Sequence, residues 1–566
     1  MANKLLFNEQ CIEIKCDRND LESARLASFI PYAHINRSHT VYKTTIRNID
    51  MVLKLFRNID ISNIDTLPAY IRGLYDKEIN RRIVTKGLLE LGPTNEPGWL
   101  WRHQQLGVEL ADVNNRFAFF YDTRTGKTPM SLKIISNDLE LHPNHKWLVL
   151  CPLILIENAW LPDAKRMFPH LDIVSLHDST RLGRQLRFQK NAQVYVNNIE
   201  SFVDYKEWIE ALKVDGCILD ESSTMKSQKS LFGKAAVEYS TSLKRWYILS
   251  GEPAPNGEYE YYRQLQSVDF YGVHESWTQF HKYFFNDISR NPQYLRLVIK
   301  PEKDAELKAL LKEYSIYVDK EDVLKTPGRD FIEIELQMPE GLTKHYHDYR
   351  EKLYIELGEN LVISSPSVAA KLNKLNQISS GFIIDTEAMK RNKYRKENGI
   401  NEPMEDESYL LSEYRFDWLD TVLKTEVKDN QVIIWANYHK EFDLIKKHLG
   451  DKCLCIYGQT NITEKNEALR LFKEGKIQYL IANPKSADKG LTLTNAHFAI
   501  YFSMNYSYEL YKQSMERIYG SVISQPNRCT YFIAIAKGTV DKAIYIAVKN
   551  KGDMSRLILD HLKGGL

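Results

Sequence analysis

Residues that could bind a nucleotide phosphate lie in the stretch YDTRTGKTPM, at 121–130. A phosphate-binding loop needs converging backbone N–H groups, a helix N-terminus, a lysine for the β- and γ-phosphates and a hydroxyl for Mg²⁺. Lys127 and Thr128 supply the ammonium and the hydroxyl, and Pro129 suits the first turn of a helix, where its missing N–H is not needed. The full pattern has glycine where this chain has Tyr121, so the loop by itself leaves a chance GKT tripeptide as the alternative.

A pair of acids follows another apolar run, in DGCILDES, where Asp220 and Glu221 end the run. An aspartate at such a strand end suits a Mg²⁺ ligand, and a glutamate suits the polarisation of an attacking water. The alternative is an acidic helix start, because Asp and Glu favour N-terminal turns. The turn YILSGEPAPNG (247–257) is a third strand end, where a sensor of the γ-phosphate could sit. This order of features predicts triphosphate chemistry, with Thr128 and Asp220 on the metal.

Short apolar runs that alternate with helical patterns must position these residues, which predicts an α/β fold with two parallel sheets. We expect five buried strands in a first lobe: RFAFFY (116–121), KWLVLCP (146–152), AQVYVNN (192–198), DGCILDE (215–221) and RWYILSG (245–251). We expect five more in a second lobe: NQVIIWAN (430–437), KCLCIYG (452–458), IQYLIANP (477–484), HFAIYFS (497–503) and CTYFIAIA (529–536).

The remaining segments differ from the two lobes in composition and in predicted secondary structure. Residues 1–90 form a separate small α+β unit that opens with the strand-like CIEIKC. Residues 271–415 are helical and charged, and the basic KRNKYRK (390–396) is followed by the acidic EPMEDES (402–408). A charge run of this kind is typical of a solvated loop or face.

Composition narrows the class of protein. The chain has 566 residues, 43% hydrophobic and 27% charged, with a net charge of +2, so any polyanion surface must be a local basic patch. No apolar run reaches 18 residues and the N-terminus lacks a signal-peptide pattern, which predicts no membrane partner. Seven scattered cysteines without a C-x2-C pair predict a reducing, cytoplasmic setting with neither disulfide framework nor zinc site. His142 and His145 have no evident ligand partners and are expected in a solvated turn.

From about residue 98 to 560 the chain resembles superfamily 2 helicases, specifically Snf2-like DNA translocases of compact phage or viral type. LWRHQQLGVELA is similar to the glutamine-bearing segment that precedes the phosphate loop, which implies that Gln104 contacts adenine. DTRTGKT matches the phage form of the loop, which implies nucleotide contacts in the run Thr123, Arg124, Thr125, Gly126, Lys127 and Thr128. LVLCPLILIENAWLPDAKRMFP, DESSTMKS and the 247–257 turn resemble motifs Ia, II and III, with Glu252 where the family has threonine.

The resemblance continues through the second half. VDKEDVL (318–324) and KLNQISSGFI (374–383) are similar to linker elements of the Snf2-like branch. VIIWANYHKEFDLI resembles motif IV. ANPKSADKGLTLTNAHFAIYF resembles motif V, which implies a role for Gly490 although Asp488 replaces a glycine. YKQSMERIYG resembles motif VI: Gln513 and Arg517 match, but the family's second arginine is Gly520 here.

The resemblance implies two RecA-like lobes with helical insertions and a small α+β N-terminal domain. The implied domains are an accessory domain at 1–90, lobe 1 at 91–270, a helical Snf2-type insertion at 271–415 and lobe 2 at 416–566. The 28–56 stretch is similar to the HARP-type, DNA-binding module of annealing helicases; an accessory domain of any other purpose is the alternative.

The implied activity is ATP hydrolysis with Mg²⁺, using Lys127, Asp220, Glu221 and Arg517 as catalytic residues. The implied role is duplex-DNA translocation in branch migration, fork remodelling or strand annealing, together with replication or recombination proteins. One alternative is an RNA-directed helicase of the same superfamily. Another is a DNA-binding scaffold with a degenerate ATPase, which Gly520, Asp488 and Glu252 favour. Arg528 is an alternative source of the cation if Arg517 does not supply it.

Overall fold

The structure is a computed structural model of the chain. It describes residues 4–7, 11–15, 34–35, 41–45, 48–49, 52, 69–95, 98–269, 276–288, 297–352, 354–357, 361–364, 368–400, 402–486 and 492–549. The chain divides into two compact units, Met1–Leu324 and Lys325–Leu566. This division falls inside the segment 271–415, which the sequence predicts as a linker; the predicted limits at 90, 270 and 415 stay predictions.

The N-terminal part of the first unit contains a small antiparallel sheet. Its strands are β1 (Lys4–Phe7), β2 (Cys11–Lys15), β3 (His34–Ile35) and β4 (Val41–Thr45), in the order β1-β2-β4-β3. The strand expected in CIEIKC is confirmed by β2. Most of the 28–56 stretch that resembles a HARP-type module lies outside the described residues, so that resemblance stays a prediction.

The helix Ala69–Leu91 packs against the body of the first unit through a cluster of charged side chains. Glu78, 4% exposed, accepts hydrogen bonds from Arg81 and Arg82. Arg81 also donates to Asn114 (2.8 Å) and to Glu313 (3.2 Å). Burial of Glu78 raises its pKa, but the hydrogen bonds and charges of the two arginines outweigh that effect and the pKa is lowered. The helix therefore belongs structurally with the following sheet.

Among the described residues of this unit, seven strands form a parallel sheet in the order β13-β5-β10-β9-β6-β8-β7. The strands numbered in chain order, including a separate β11–β12 hairpin, are β5 (Arg116–Tyr121), β6 (Trp147–Cys151), β7 (Ile173–Ser175), β8 (Val194–Asn198), β9 (Gly216–Asp220), β10 (Arg245–Leu249), β11 (Phe285–Asp287), β12 (Leu297–Ile299) and β13 (Ser315–Val318). All five predicted strands of the first lobe are confirmed. The sequence missed β7 and β13, which are the two edge strands.

Helices cover this sheet because their apolar side chains meet those of the strands in one buried core. The α-helices are Arg102–Val113, Lys127–Leu141, Leu153–Leu155, Leu161–Met167, Arg181–Phe188, Lys206–Ala211, Leu231–Thr241, Tyr261–Val268, Trp277–Phe284, Pro301–Tyr314 and Lys320–Val323. A π-helical turn spans Ile156–Trp160, and 3₁₀ turns span Ile199–Ser201, Ser222–Met225 and Glu258–Glu260. None of the helices in the described ranges is long and apolar enough to cross a bilayer.

In the second unit, six of the described strands form a parallel sheet in the order β14-β23-β22-β19-β21-β20. The strands, with two hairpins, are β14 (Arg329–Leu336), β15 (Tyr354–Leu357), β16 (Leu361–Ser364), β17 (Phe382–Ile384), β18 (Ser408–Leu410), β19 (Val432–Trp435), β20 (Cys453–Ile456), β21 (Tyr479–Ala482), β22 (Phe498–Tyr501) and β23 (Cys529–Ala536). All five strands predicted for the second lobe are confirmed, and β14 is an unpredicted edge strand.

The helices of the second unit are Glu340–Lys352, Val368–Ser379, Thr386–Glu397, Tyr414–Val422, His439–Leu449, Ile462–Lys473, Tyr508–Met515 and Val540–Lys549, with a π-helical turn at Leu423–Val427 and a 3₁₀ turn at Gly450–Lys452. Together with β14 and the β15–β16 and β17–β18 hairpins, they show that residues 271–415 hold strands as well as the expected helices.

The basic run KRNKYRK lies on the exposed helix Thr386–Glu397 and pairs with the acidic run that follows it. Arg391 contacts Glu405 (2.6 Å), and Arg395 contacts Glu402 (3.1 Å) and Glu405 (3.0 Å). The two runs therefore neutralise each other on the surface, so the expected charged face is largely self-paired.

Candidate nucleotide-binding site

The loop between β5 and the helix Lys127–Leu141 has the backbone of a phosphate loop. Gly126 caps the helix with φ = 78°, and Arg124 also adopts the left-handed region with φ = 64°. A Cβ at Gly126 would lie 1.9 Å from Nε2 of Gln104, and with this positive φ any other residue there would be strained. The loop thus turns sharply and directs the helix N-terminus, which favours anions, toward the carboxyl edge of the sheet.

Side chains of the loop hold its own backbone. The Lys127 ammonium donates to the carbonyl oxygens of Tyr121 (2.8 Å) and Asp122 (3.1 Å). The buried Thr125 hydroxyl donates to the carbonyl of Asp122 (2.8 Å), and the Thr123 N–H donates to the Asp122 carboxylate (2.7 Å). Lys127 is therefore folded against the loop. A phosphate would have to draw the ammonium away from two neutral carbonyls, which a charged anion does readily.

Gln104 and His103 reach this loop from the preceding helix. The Gln104 amide donates to the carbonyl of Thr125 (3.0 Å), and its oxygen accepts from the N–H of Trp101 (2.9 Å). Nε2 of His103 lies 2.7 Å from the same Thr125 carbonyl; burial lowers the pKa of His103 despite this bond, which favours a neutral ring donating to Thr125. Both ends of the Gln104 amide thus support the loop, while its predicted contact with adenine stays a prediction.

Asp220 and the phosphate loop lie at the same edge of the first sheet. In the strand register, Leu249 of β10 stands opposite both Phe119 of β5 and Asp220 of β9. Since neighbouring strands lie about 4.8 Å apart, the ends of β5 and β9 are roughly 10 Å apart with β10 between them. A gap of this order would accommodate a magnesium ion together with the phosphates of a nucleotide.

Asp220 and Glu221 each accept a hydrogen bond from a neighbouring side chain. Asp220, 5% exposed, accepts a hydrogen bond from the indole of the fully buried Trp160 (3.1 Å). Burial, helped by the negative charge of Asp220, raises the pKa of Cys151. Glu221 has a left-handed backbone with φ = 75°, and its carboxylate accepts from the Ser223 hydroxyl (2.6 Å). Glu221 is half-buried, and its predicted contact with an attacking water stays a prediction.

The turn after β10 touches the phosphate loop. The Ser250 N–H donates to the carbonyl of Phe119 (3.3 Å), and a Cβ on Gly251 would lie 3.4 Å from the backbone nitrogen of Thr123. Burial raises the pKa of Tyr261 to about 12. The hydrogen bond to Tyr317 lowers this pKa, and the negative charge of Glu252 raises it. The Glu252 carboxylate is therefore close enough to Tyr261 for its charge to be felt there.

The second unit carries the other predicted residues. Gln513 lies on the helix Tyr508–Met515 and donates to Glu509 (3.3 Å). Arg517 follows that helix, is 5% exposed, and its carbonyl accepts from Leu493 (2.9 Å). Gly520 is buried nearby in sequence. Gly490 and Asp488 lie outside the described residues, so their predicted roles stay predictions.

Arg528, the alternative cation, is 62% exposed and forms a two-point ion pair with Asp330. That pairing raises the pKa of Arg528 and lowers the pKa of Asp330. A phosphate at Arg528 would therefore have to displace the Asp330 carboxylate.

The prediction that His142 and His145 have no ligand partner nearby was wrong. Both Nδ1 atoms contact the buried Asp138, at 3.2 and 3.0 Å. Asp138 lies four residues before His142, a spacing that faces one side of a helix, so the signal was available. The two imidazoles stack on each other, with ring centroids 4.4 Å apart and an interplanar angle of 11°. Arg245, 3.3 Å from Asp138, already supplies a positive charge there.

Two buried residues escaped the sequence prediction altogether. Trp160 bonds Asp220, and Gln264 accepts from Ser222 (2.7 Å) while donating to the carbonyl of Pro253 (2.7 Å). Trp160 lies in the segment that resembles motif Ia, but nothing in its spacing points to an acid 60 residues away. Both side chains are buried and form hydrogen bonds with residues of the predicted site or of the turns next to it.

The donor set fits ATP with magnesium. A helix N-terminus and the Lys127 ammonium suit phosphate oxygens. The Asp220 carboxylate and the Thr128 hydroxyl, which lies in the first turn of the same helix, are the oxygen ligands that Mg²⁺ prefers.

Comparisons with known proteins agree with this chemistry. Residues 44–393 match the family model described as SNF2-related domain, and residues 414–519 match that of the helicase conserved C-terminal domain. The chain is 26% identical over 462 residues to "Putative protein p41" of Acyrthosiphon pisum secondary endosymbiont phage 1, covering 77% of this chain and 93% of that protein.

The chain is also 22% identical over 457 residues to the Drosophila melanogaster "SWI/SNF-related matrix-associated actin-dependent regulator of chromatin subfamily A-like protein 1". That match covers 80% of this chain but only 55% of the fly protein. The solved "Sulfolobus solfataricus SWI2/SNF2 ATPase core in complex with dsDNA" aligns with 84% of this chain and 95% of its own, at 16% identity and a TM-score of 0.35. At that TM-score the fold assignment rests on the strand order described above.

The SNF2-related model covers well over half of the chain and the helicase model follows it in order, with the phosphate loop and the acidic pair inside the first match. The chain therefore belongs to the family of SNF2-related domain proteins and is an ATP-hydrolysing enzyme of that family.

Proposed function

We propose that this enzyme is a nucleic-acid-dependent ATPase that moves along duplex DNA. The observation that carries the proposal is the row of strand ends β5, β10 and β9. There the phosphate loop, the Ser250 turn and the Asp220–Glu221 pair share one edge of a parallel sheet. Ligands of open parallel sheets bind beyond the carboxyl ends of the strands, which supports ATP at this edge.

Each residue has a separate task in the proposed site. Lys127 would contact the β- and γ-phosphates, and Thr128 and Asp220 would hold Mg²⁺, which would neutralise phosphate charge. Glu221 orients the attacking water, for which its half-exposed carboxylate is suited. Thr123, Arg124, Thr125 and Gly126 shape the loop around the phosphates.

By the motif VI resemblance, Arg517 is the candidate cation for the γ-phosphate, with Gln513 in the same motif and Gly490 in the preceding motif V. Hydrolysis removes the γ-phosphate and the contacts made to it, so the balance between conformations shifts with each turnover. A strand gripped through its phosphates would be bound without sequence preference and with strong salt sensitivity.

The SNF2-related match supports DNA over RNA as the track, with branch migration, fork remodelling or strand annealing as the work performed. Its partners would be duplex or branched DNA and proteins of replication or recombination. RNA is the competing substrate, and ATPase measurements with DNA and with RNA distinguish the two.

ATP turnover should be measured with saturating duplex DNA, branched DNA, single-stranded DNA and RNA in parallel. Stimulation by duplex or branched DNA supports the proposal, and stimulation by RNA alone replaces it with the RNA-directed alternative. Lys127→Ala should remove the stimulated rate, whereas Lys133→Ala, on the same helix but beyond its first turn, should retain it. Equal rates in the wild type and Lys127→Ala would overturn the proposed motor.

One observation favours a second function, a DNA-binding scaffold with weak hydrolysis. Gly520 stands where the family carries a second arginine, and an arginine at the γ-phosphate is worth roughly 10³–10⁵ in rate. A wild-type protein that binds duplex DNA with ordinary affinity but hydrolyses ATP no faster than Lys127→Ala would identify the scaffold.

A further inference from the structure

The Asp220 carboxylate, at the end of β9, accepts a hydrogen bond from a tryptophan in the connection that follows β6. The indole N–H of Trp160 donates to Oδ2 of Asp220 at 3.1 Å, across 60 residues of sequence. Trp160 is 0% exposed and Asp220 is 5% exposed. A buried indole N–H is a donor only and needs one acceptor, and here that acceptor is the acid predicted to bind metal.

The path of the chain explains how Trp160 arrives there. β6 lies next to β9 in the sheet and runs parallel to it, so the connection that follows β6 begins at the same carboxyl edge at which Asp220 ends β9. This connection contains the π-helical turn Ile156–Trp160, directly before the helix Leu161–Met167. A π turn holds an extra residue, which rotates the side chains around it relative to a regular α-helix, and such turns are frequent at functional sites.

The nature of the donor matters for the metal. A lysine or arginine at this position would neutralise Asp220 and compete with a cation. An indole has no net charge, so it orients the carboxylate and leaves its negative charge available to Mg²⁺. A hydrogen bond to one oxygen also limits rotation of the carboxylate, so its orientation is set before a metal arrives.

We propose that Trp160 is a positioning residue for the metal site, holding Asp220 in the orientation that binds Mg²⁺ together with ATP. The inference rests on the proposed use of Mg²⁺ and ATP at this edge of the sheet. Loss of the indole N–H should weaken metal binding while leaving metal-free nucleotide binding unchanged. Partners that orient metal ligands typically contribute 10- to 100-fold in metal affinity, so we expect a shift of about tenfold.

Trp147 offers a matched control. It is also 0% exposed, and its indole N–H donates to a buried carboxylate, Oδ2 of Asp138, at 2.8 Å. Asp138 lies away from the phosphate loop, near the amino end of β6. Trp147→Phe therefore removes the same kind of bond from the same domain without touching the proposed metal site.

The test measures binding of a fluorescent ATP analogue to the full chain at increasing Mg²⁺, and Mn²⁺ binding by electron paramagnetic resonance with the analogue present. Trp160→Phe should raise the Mg²⁺ midpoint and weaken Mn²⁺ binding about tenfold, with unchanged analogue binding in EDTA. Trp147→Phe should leave both midpoints at the wild-type value. Thermal melting checks that both variants fold; if Trp160→Phe does not, benzothienylalanine at position 160 keeps the ring shape and lacks the N–H.

A wild-type Mg²⁺ midpoint in the folded Trp160 variant, or an equal shift in Trp147→Phe, would overturn the inference. A wild-type protein that binds the analogue equally well with and without Mg²⁺ would overturn the proposed metal-dependent function itself, and the inference with it. The two failures are therefore distinguishable.

Discussion

The Ser222 hydroxyl donates to Oε1 of Gln264 over 2.7 Å, and this bond links the acidic pair to the turn that follows β10. Gln264 is 1% exposed, and its amide also donates to the Pro253 carbonyl (2.7 Å). The residues after Asp220–Glu221 and the residues after Ser250–Gly251 therefore share one buried amide. The two strand ends are therefore linked by hydrogen bonds to the same side chain.

Gln264→Leu should destabilise the first unit by about 1–3 kcal/mol, because it leaves a buried hydroxyl and a buried carbonyl without their partner. Denaturant unfolding measures the loss. In a double-mutant cycle with Ser222→Ala, the two losses should not add, since each removes the same bond. Strict additivity would show that the Ser222–Gln264 bond contributes nothing. Gln185→Leu, on an exposed helix surface, is the neutral control.

Arg415 and Asp541 form a buried ion pair in the second unit, where Arg415 is 1% exposed and also donates to the carbonyl of Ser379 (3.0 Å). Arg415→Met should cost about 3–5 kcal/mol, because it leaves the Asp541 charge buried with its main counter-ion removed. The double variant Arg415→Met with Asp541→Leu should recover much of that loss. Chemical denaturation gives both values.

The exposed pair of Lys424 and Asp420 (2.9 Å) is the control for that experiment. Lys424→Met should change the free energy of unfolding by less than about 1 kcal/mol. A comparable loss at both pairs would contradict the role of burial.

The buried Glu441 should make the free energy of unfolding depend on pH, with a definite sign. Burial raises its pKa above 4.5, although the Ser503 hydroxyl and the Asn437 and Tyr438 N–H groups favour the ionised form. The unfolded chain then loses the Glu441 proton at lower pH than the folded chain. The stability contribution of this group is therefore complete below pH 4.5 and is lost as the pH rises through the folded pKa.

Glu441→Gln removes this proton equilibrium. The stability of the variant relative to the wild type should rise steadily with pH above 4.5. Within the described part of the chain, Oε1 of Glu441 has no hydrogen-bond partner, so the substituted amide breaks no existing bond there. Denaturant unfolding of both proteins between pH 4 and 8 checks the slope; a constant difference across that range would contradict the prediction.

The two candidate cations for the γ-phosphate can be separated by substitution. Arg517→Ala should lower DNA-stimulated hydrolysis by roughly 10³- to 10⁵-fold. Arg528→Ala should have a small effect, because Arg528 is exposed and engaged with Asp330. Steady-state ATPase assays on both variants decide the assignment, and the reverse pattern would move the role to Arg528.

The ten strands of the two lobes were predictable because buried parallel strands are short, continuous apolar runs. Among the described strands, the edge strands β7, β13 and β14 were not predicted, although the edge strand β20 was. β14 alternates acids with apolar residues, and Phe331 and Ile332 are exposed at 40% and 39%, so its sequence lacks a buried run. β13 follows the helix Pro301–Tyr314 directly and joins β5 almost 200 residues away in the chain, a pairing that no local pattern indicates.

The site was predictable in part. The phosphate loop and the acidic pair carry residue types that few other structures need together, so their order along the chain was informative. Trp160 and Gln264 were not predictable, because buried indoles and amides are common in cores and their partners are set by the packing of distant strands. The resemblance indicated Gln104 but not His103. Only the structure shows that both side chains contact the Thr125 carbonyl.

Glu221 holds a left-handed backbone, φ = 75°, that costs a residue with a side chain roughly 1–3 kcal/mol. In the proposed site, the glutamate carboxylate therefore occupies a position whose backbone conformation favours glycine. Glu221→Gly should melt at a higher temperature than Glu221→Ala, although both are equally inactive, and calorimetry would reveal the ranking. Under the proposed role of Glu221, a substitution that relieves the backbone strain at this strand end would therefore stabilise the protein at the expense of turnover.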